Sequence, residues 1–148
     1  MASTKMDINS VHEWEQVVVK ILNLDGWNLE WCGGDFTHYD AKGKTRKGKE
    51  CVIEIKFRNK YYKTKMLERI KYERLMALPE EVHKLYLVFD PKGMYIFWLN
   101  DIILPVQEKL NCPDTSLWTK EKKEKQVYLL EESQASYINY ESGFNRKL

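Results

Sequence analysis

Hydrophobic and polar positions alternate from Ile53 onward in Cys51-Val52-Ile53-Glu54-Ile55-Lys56-Phe57-Arg58. Period two places Cys51, Ile53, Ile55 and Phe57 on one face of a strand, and Val52, Glu54, Lys56 and Arg58 on the other. An acid and a base within so apolar a run are costly to bury unless something pairs or uses them. Upstream, Val11 to Leu24 follow a helical period, with Ser10 and Glu13 reading as a capping box. At about 100° per residue from Val11, the residues Leu22, Val18, Trp14 and Ile21 share the sector expected to face the core, while Glu13, Gln16 and Lys20 face water. Glu15 falls at about 40°, the one charged residue in that apolar sector. Such a carboxylate either serves a site or lies at the margin, snorkelling out or paired with an arginine.

The same reading predicts a strand over 27–32, a Gly33-Gly34 turn, a strand near 35–41 and a cationic loop over 42–49. A helix over about 63–78 and a strand over 84–89 follow. Asp90-Pro91-Lys92-Gly93 has type I turn chemistry and leads into a strand over 94–99. A short helical turn is expected within 101–110 and a late strand over 125–130. Residues 1–131 read as a single domain, and 132–148 as a polar C-terminal tail or arm. The order αβββαβ describes an α/β fold, a mixed central sheet flanked by helices.

Composition narrows this picture. At 148 residues, with 43% hydrophobic and 13% aromatic content, the chain can build one ordinary core. Its net charge of +2 hides an uneven distribution, for residues 42–74 hold thirteen Lys or Arg against four Glu. A polyanion would need such a block beside a site, although a solvated lysine-rich face is the plainer alternative. Cys32, Cys51 and Cys112 are odd in number and widely spaced, as in a reducing compartment. With no spanning apolar run and no signal-peptide core, the expectation is a cytoplasmic protein without membrane contact, in the host cytoplasm if viral.

Asp40 stands fourteen residues before Glu54, in Thr37-His38-Tyr39-Asp40-Ala41. An aspartate followed by Glu-x-Lys on a buried strand, with a glutamate on a preceding helix, resembles the core of the PD-(D/E)xK nuclease superfamily. This restriction-endonuclease-like family includes archaeal Holliday junction resolvases and many phage nucleases. The match covers about 50 positions, from the helix that holds Glu15 to Arg58, with Tyr39 where the name-giving proline would stand. Trp14-Glu15-Gln16-Val17, ending at Gly26-Trp27, is similar to the family's first helix, whose Glu approaches the metal site.

The resemblance implies Mg²⁺, with Mn²⁺ as a substitute, held by Asp40, Glu54, the Ile55 carbonyl and Glu15. Lys56 would orient water or stabilise charge on phosphate. It implies a metal-dependent DNA endonuclease, a homodimer directed at branched or duplex recombination intermediates. Expected nucleic-acid contacts are Lys44, Arg46, Lys47, Lys49, Arg58, Lys60, Lys63 and Lys71. A catalytically silent binding module on the same fold, and cleavage of RNA rather than DNA, stay open. His12-Glu13-Trp14-Glu15-Gln16 lacks the second histidine of a zinc-protease motif, with His12 on the wet face. Tyr61 and Tyr62, between Lys60 and Lys63, either stack bases or pack the core.

Overall fold

A computed structural model describes residues 7–33, 38–105, 108–113, 122–139 and 143–145. Helix α1 spans Ile8–Leu24, and strands β1 (Asn28–Trp31), β2 (Ala41–Lys44) and β3 (Glu50–Phe57) follow. Next come β4 (Thr64–Glu68), α2 (Arg69–Met76), β5 (His83–Asp90) and β6 (Gly93–Trp98). The remainder forms β7 (Glu108–Pro113), β8 (Lys122–Glu131), a 3-10 turn at Glu132–Gln134, β9 (Ser136–Asn139) and β10 (Gly143–Asn145).

Seven strands make the main sheet in the order β1-β2-β3-β5-β6-β9-β10, and β4-β8-β7 make a second. Only β3 and β5 run parallel in the main sheet, with Ile53 opposite Leu85 and Ile55 opposite Leu87, so the sheet is mixed as expected. Both faces of β3 are covered, by α1 on one side and by α2 and the second sheet on the other, which explains why its apolar run carries no solvent-facing side.

Each face of the sheet has its own core. Val18, Val19 and Leu22 of α1 pack on Ile53, Ile55, Leu85, Leu87 and Ile96. On the other face Val52, Tyr86, Val88 and Phe97 pack against Leu67 of β4, Leu75 of α2 and Leu130 of β8. The alternation of β3 therefore sorts its odd residues to α1 and its even ones to α2 and the second sheet. No helix among the described residues is long and apolar enough to cross a membrane.

The register of α1 differs from the expectation at its margins. Its N-cap is Asp7, whose carboxylate accepts from the Ser10 amide at 2.8 Å, so Ser10 lies inside the helix and Glu13 is exposed rather than part of a capping box. Glu15, Val18, Val19 and Leu22 are buried, whereas Trp14 and Ile21 are 54% and 59% exposed. The apolar sector is wider than the face the sheet covers, and Val19 draws the buried stripe away from Trp14 and Ile21.

Four other elements differ. Residues 42–44, expected in a loop, belong to β2, and the expected 35–41 strand falls partly at 35–37, outside the described residues, as does Gly34 of the expected turn pair. The expected 63–78 helix is divided into β4 and α2. Residues 102–105 take no regular form and 108–113 are strand, in place of a helical turn, with 106 and 107 outside the described residues. Part of the expected tail supplies β9, which pairs with β6 through Met94–Ile138 and Tyr95–Tyr137.

Candidate functional site

Asp40 enters the sheet one residue before β2 and is fixed on both sides. Its amide donates to the Ile53 carbonyl, and its carbonyl accepts from the Cys32 amide, each at 2.8 Å. That leaves its carboxylate at the end of the β2–β3 pairing, where Oδ2 accepts from the Ile55 amide at 2.7 Å. The amide and carbonyl of one strand residue point the same way. Because β2 ends here, the Ile55 carbonyl is directed to the side that Asp40 occupies.

Glu54 follows Ile53, the last β3 residue paired with β2, and lies on the α2 face with its side chain largely buried. Glu15 arrives from the α1 face, 4% exposed, and its Oε1 accepts from Trp31 Nε1 at 3.1 Å. Trp31 in turn meets His12 edge to face, ring centroids 5.3 Å apart. Gly33 gives this pair room, for a Cβ there would lie 2.7 Å from Glu15 Oε1 and 2.8 Å from Trp31 Nε1.

Three acids thus share one electrostatic neighbourhood. Burial, then the charges of Glu54 and Glu15, push the Asp40 carboxyl up to about 8 despite the Ile55 hydrogen bond. Burial also raises Glu15, opposed chiefly by Trp31. Lys56 extends from the Glu54 face, and burial, then Arg58 and Lys71, push its ammonium down to about 8. Glu68 is held low, because its hydrogen bond from Lys125 at 2.7 Å, with Lys71 and Lys56, outweighs the upward push of burial.

Lys71, one of the expected nucleic-acid contacts, stands at the acidic site, its Nζ 2.8 Å from Glu54 Oε1. That contact raises the lysine against the opposing effect of burial. Trp31 and His12 join the site without a sequence signal: no motif marks an indole that receives a helix carboxylate, and the helical wheel puts His12 on the wet face.

The remaining cations divide into three groups. Arg58 turns inward, toward the Met66 carbonyl at 3.5 Å. Lys60 and Lys63 are exposed in the β3–β4 connection, at the end of β3 that carries the acids. Lys44, Arg46, Lys47 and Lys49 are exposed at the opposite end of β2, about 13 Å along the strand from Asp40. Tyr61 is engaged by Lys65 and Lys92, whose Nζ atoms lie 4.3 Å and 3.7 Å from its ring centre, while Tyr62 is 58% exposed.

The overall arrangement has a counterpart among solved structures. Hjc, a Holliday junction resolvase from the archaeal hyperthermophile Archaeoglobus fulgidus, superposes with a TM-score of 0.57 over 85% of this chain and 89% of that one. The fold is that of a resolvase-like nuclease. Identity across the match is 14%, so the likeness speaks for the fold. No protein-family model matches the chain, and no curated protein matches it.

Among the described residues no three acidic, histidine or cysteine side chains close around a point that would enclose a metal by themselves. An all-protein cage, such as calcium or structural zinc uses, is therefore not built here. Magnesium asks for less, one or two carboxylates with several retained waters. Asp40 and Glu54 with the Ile55 carbonyl meet that requirement, and mutual repulsion among the acids is what a divalent cation would relieve.

Proposed function

We propose that this chain is a Mg²⁺-dependent endonuclease that cleaves DNA, directed to branched or recombination-type structures and acting as a homodimer. The observation that carries the reading is the convergence of Asp40, Glu54 and Glu15 at the end of the β2–β3 pairing, with Lys56 beside them. Its fold likeness to an archaeal Holliday junction resolvase supports branched DNA as substrate.

Asp40, Glu54 and the Ile55 carbonyl would hold the metal, with Glu15 acting at a second position or through water. The bound ion would supply an acidified water and polarise the phosphate. This chain's own residues set the stage for that chemistry. The Ile55 amide orients one Asp40 oxygen, and Trp31 orients one Glu15 oxygen. Lys56, with its pKa lowered to about 8, can hold or release a proton near neutral pH and would face charge developing on phosphate. Exposed Lys60 and Lys63 supply backbone contacts near the acids, and the β2–β3 turn supplies them farther along the nucleic acid.

One observation favours a second reading, a silent binding module: Lys71 already neutralises Glu54. Cleavage of four-way junction, duplex and single-stranded DNA and of RNA, with Mg²⁺ or with chelator, separates the two. Metal-dependent nicking lost in Asp40→Asn supports the nuclease; tight binding without nicking supports the module. The same panel distinguishes DNA from RNA.

A further inference from the structure

Beyond the acids, a cavity of about 480 Å³ opens on the α1 face of the sheet, between the C-terminal end of α1 and the ends of β5 and β6. Its size suits a small organic ligand. Trp27 and Trp98 line it, and each is only partly buried against the adjoining core. Exposed Lys47 and Lys49 of the β2–β3 turn stand at its rim. Arg46 also lines it, bridged to Asp25 at 3.2 Å. His83 completes the lining, edge-on to Trp98, and its Nδ1 is buried without a hydrogen-bond partner.

We propose that this cavity is a nucleotide subsite, which takes one unpaired base of the bound strand against Trp27 and Trp98, its phosphate on Lys47 and Lys49. The inference rests on the nucleic-acid reading above and extends it from backbone contact to base capture. Indole rings accept any base face, and cations at the mouth suit its phosphate. Asp25 and Asp101 also line the cavity. Their carboxylates can accept from the amino group of a base. Leu22, at the cavity, is seven residues along α1 from Glu15, about 10 Å, within reach of a strand engaged at both places.

The test uses full-length Asp40→Asn protein in chelator, so that binding is read without cleavage. One probe is a duplex with a single bulged 2-aminopurine; the others are its fully paired counterpart and free dAMP. The expected result is quenching of the bulged base, with bulge affinity falling about tenfold in Trp98→Leu while paired-duplex affinity changes little. Lys47→Ala/Lys49→Ala, on an exposed turn, should lower bulge affinity more than paired-duplex affinity and reduce the quench, which keeps the test decisive if Trp98→Leu folds poorly. Equal binding of bulged and paired duplex, or bulge quenching unchanged in both variants, would overturn the subsite and leave the nuclease reading standing. Tight dAMP binding with an unquenched bulge would make this a free-nucleotide site and overturn it too. Failure to bind any DNA would remove the nucleic-acid reading itself, and the subsite with it.

Discussion

Lys71 Nζ and Glu54 Oε1 lie 2.8 Å apart, so the structure carries its own counter-charge at the acidic site. Lys71 comes from α2 and Glu54 from β3, on the face where the helix covers the sheet. The lysine does for Glu54 what a divalent cation would do for the set, and a bound cation would compete with it for that carboxylate. Lys71→Met should therefore lower metal-free stability, by about 1 kcal/mol since solvent screens part of the lysine. It should also strengthen Mg²⁺ binding. Calorimetric titration beside thermal melts reads both; a variant with weaker Mg²⁺ binding would show that Lys71 assists the metal.

Asp40 makes the same trade visible through pH. Its carboxyl is raised from an ordinary 3.8 to about 8, so it contributes stability that is full below the unfolded value and lost as pH rises through the folded one. Metal-free protein should lose stability progressively between about pH 4 and pH 8, and Mg²⁺ should restore it. Asp40→Asn should flatten that loss and melt higher than wild type at pH 8 in chelator, because the amide still accepts from Ile55. Melting temperature against pH for both proteins is the check; parallel curves would mean that Asp40 is not strained.

Gly33 tests whether the Glu15 orientation matters. An alanine Cβ would press on Glu15 Oε1 at 2.7 Å and on the Trp31 nitrogen at 2.8 Å, so one of them must move. Gly33→Ala should slow cleavage while leaving duplex binding and its salt dependence unchanged. Glu15→Gln, which keeps the shape, should slow cleavage with little change in melting temperature. Full activity in both variants would leave Glu15 with a structural role only.

The corrected helix start gives a test that is independent of catalysis. Asp7 caps α1 through the Ser10 amide, whereas Glu13 is exposed. Asp7→Ala should cost about 1 kcal/mol of stability and Glu13→Ala almost nothing. Denaturant midpoints for the two variants would show the reverse order if the capping box formed.

Much of the central fold was legible because its signals are local. Strand β3 declares itself by alternation, and β5 and β6 by short apolar runs on either side of the Asp90–Gly93 turn, where Asp90 Oδ1 receives the Lys92 and Gly93 amides. Glu15 was legible as the odd charge of an apolar sector. Strand β4 was not, because its inward residues are Lys65 and Leu67, and a buried lysine breaks the apolar pattern. What makes Lys65 tolerable comes from far along the chain. Its Nζ lies 2.9 Å from Asp90 and 3.1 Å from Glu132, and 4.0 Å from the Tyr95 ring centre. The Lys71–Glu54 pair was hidden similarly, since it depends on α2 crossing the even face of β3.

The four exposed cations of the β2–β3 turn act at a distance from the acids and should matter for binding rather than rate. Neutralising Lys44, Arg46, Lys47 and Lys49 together should flatten the salt dependence of duplex binding by about 0.9 for each phosphate that these side chains neutralise in the wild type. An unchanged slope would make the turn an ordinary solvated one.

The central claim is that Asp40 and Glu54 hold the metal that drives phosphodiester cleavage. Single-turnover cleavage of a four-way junction with Mg²⁺, compared among wild type, Asp40→Asn and Glu54→Gln, tests it most directly. The expected result is nicking by wild type that chelator abolishes, rates lower by orders of magnitude in both variants, and junction binding retained. Cleavage by either variant at the wild-type rate, or by wild type in chelator, would contradict it.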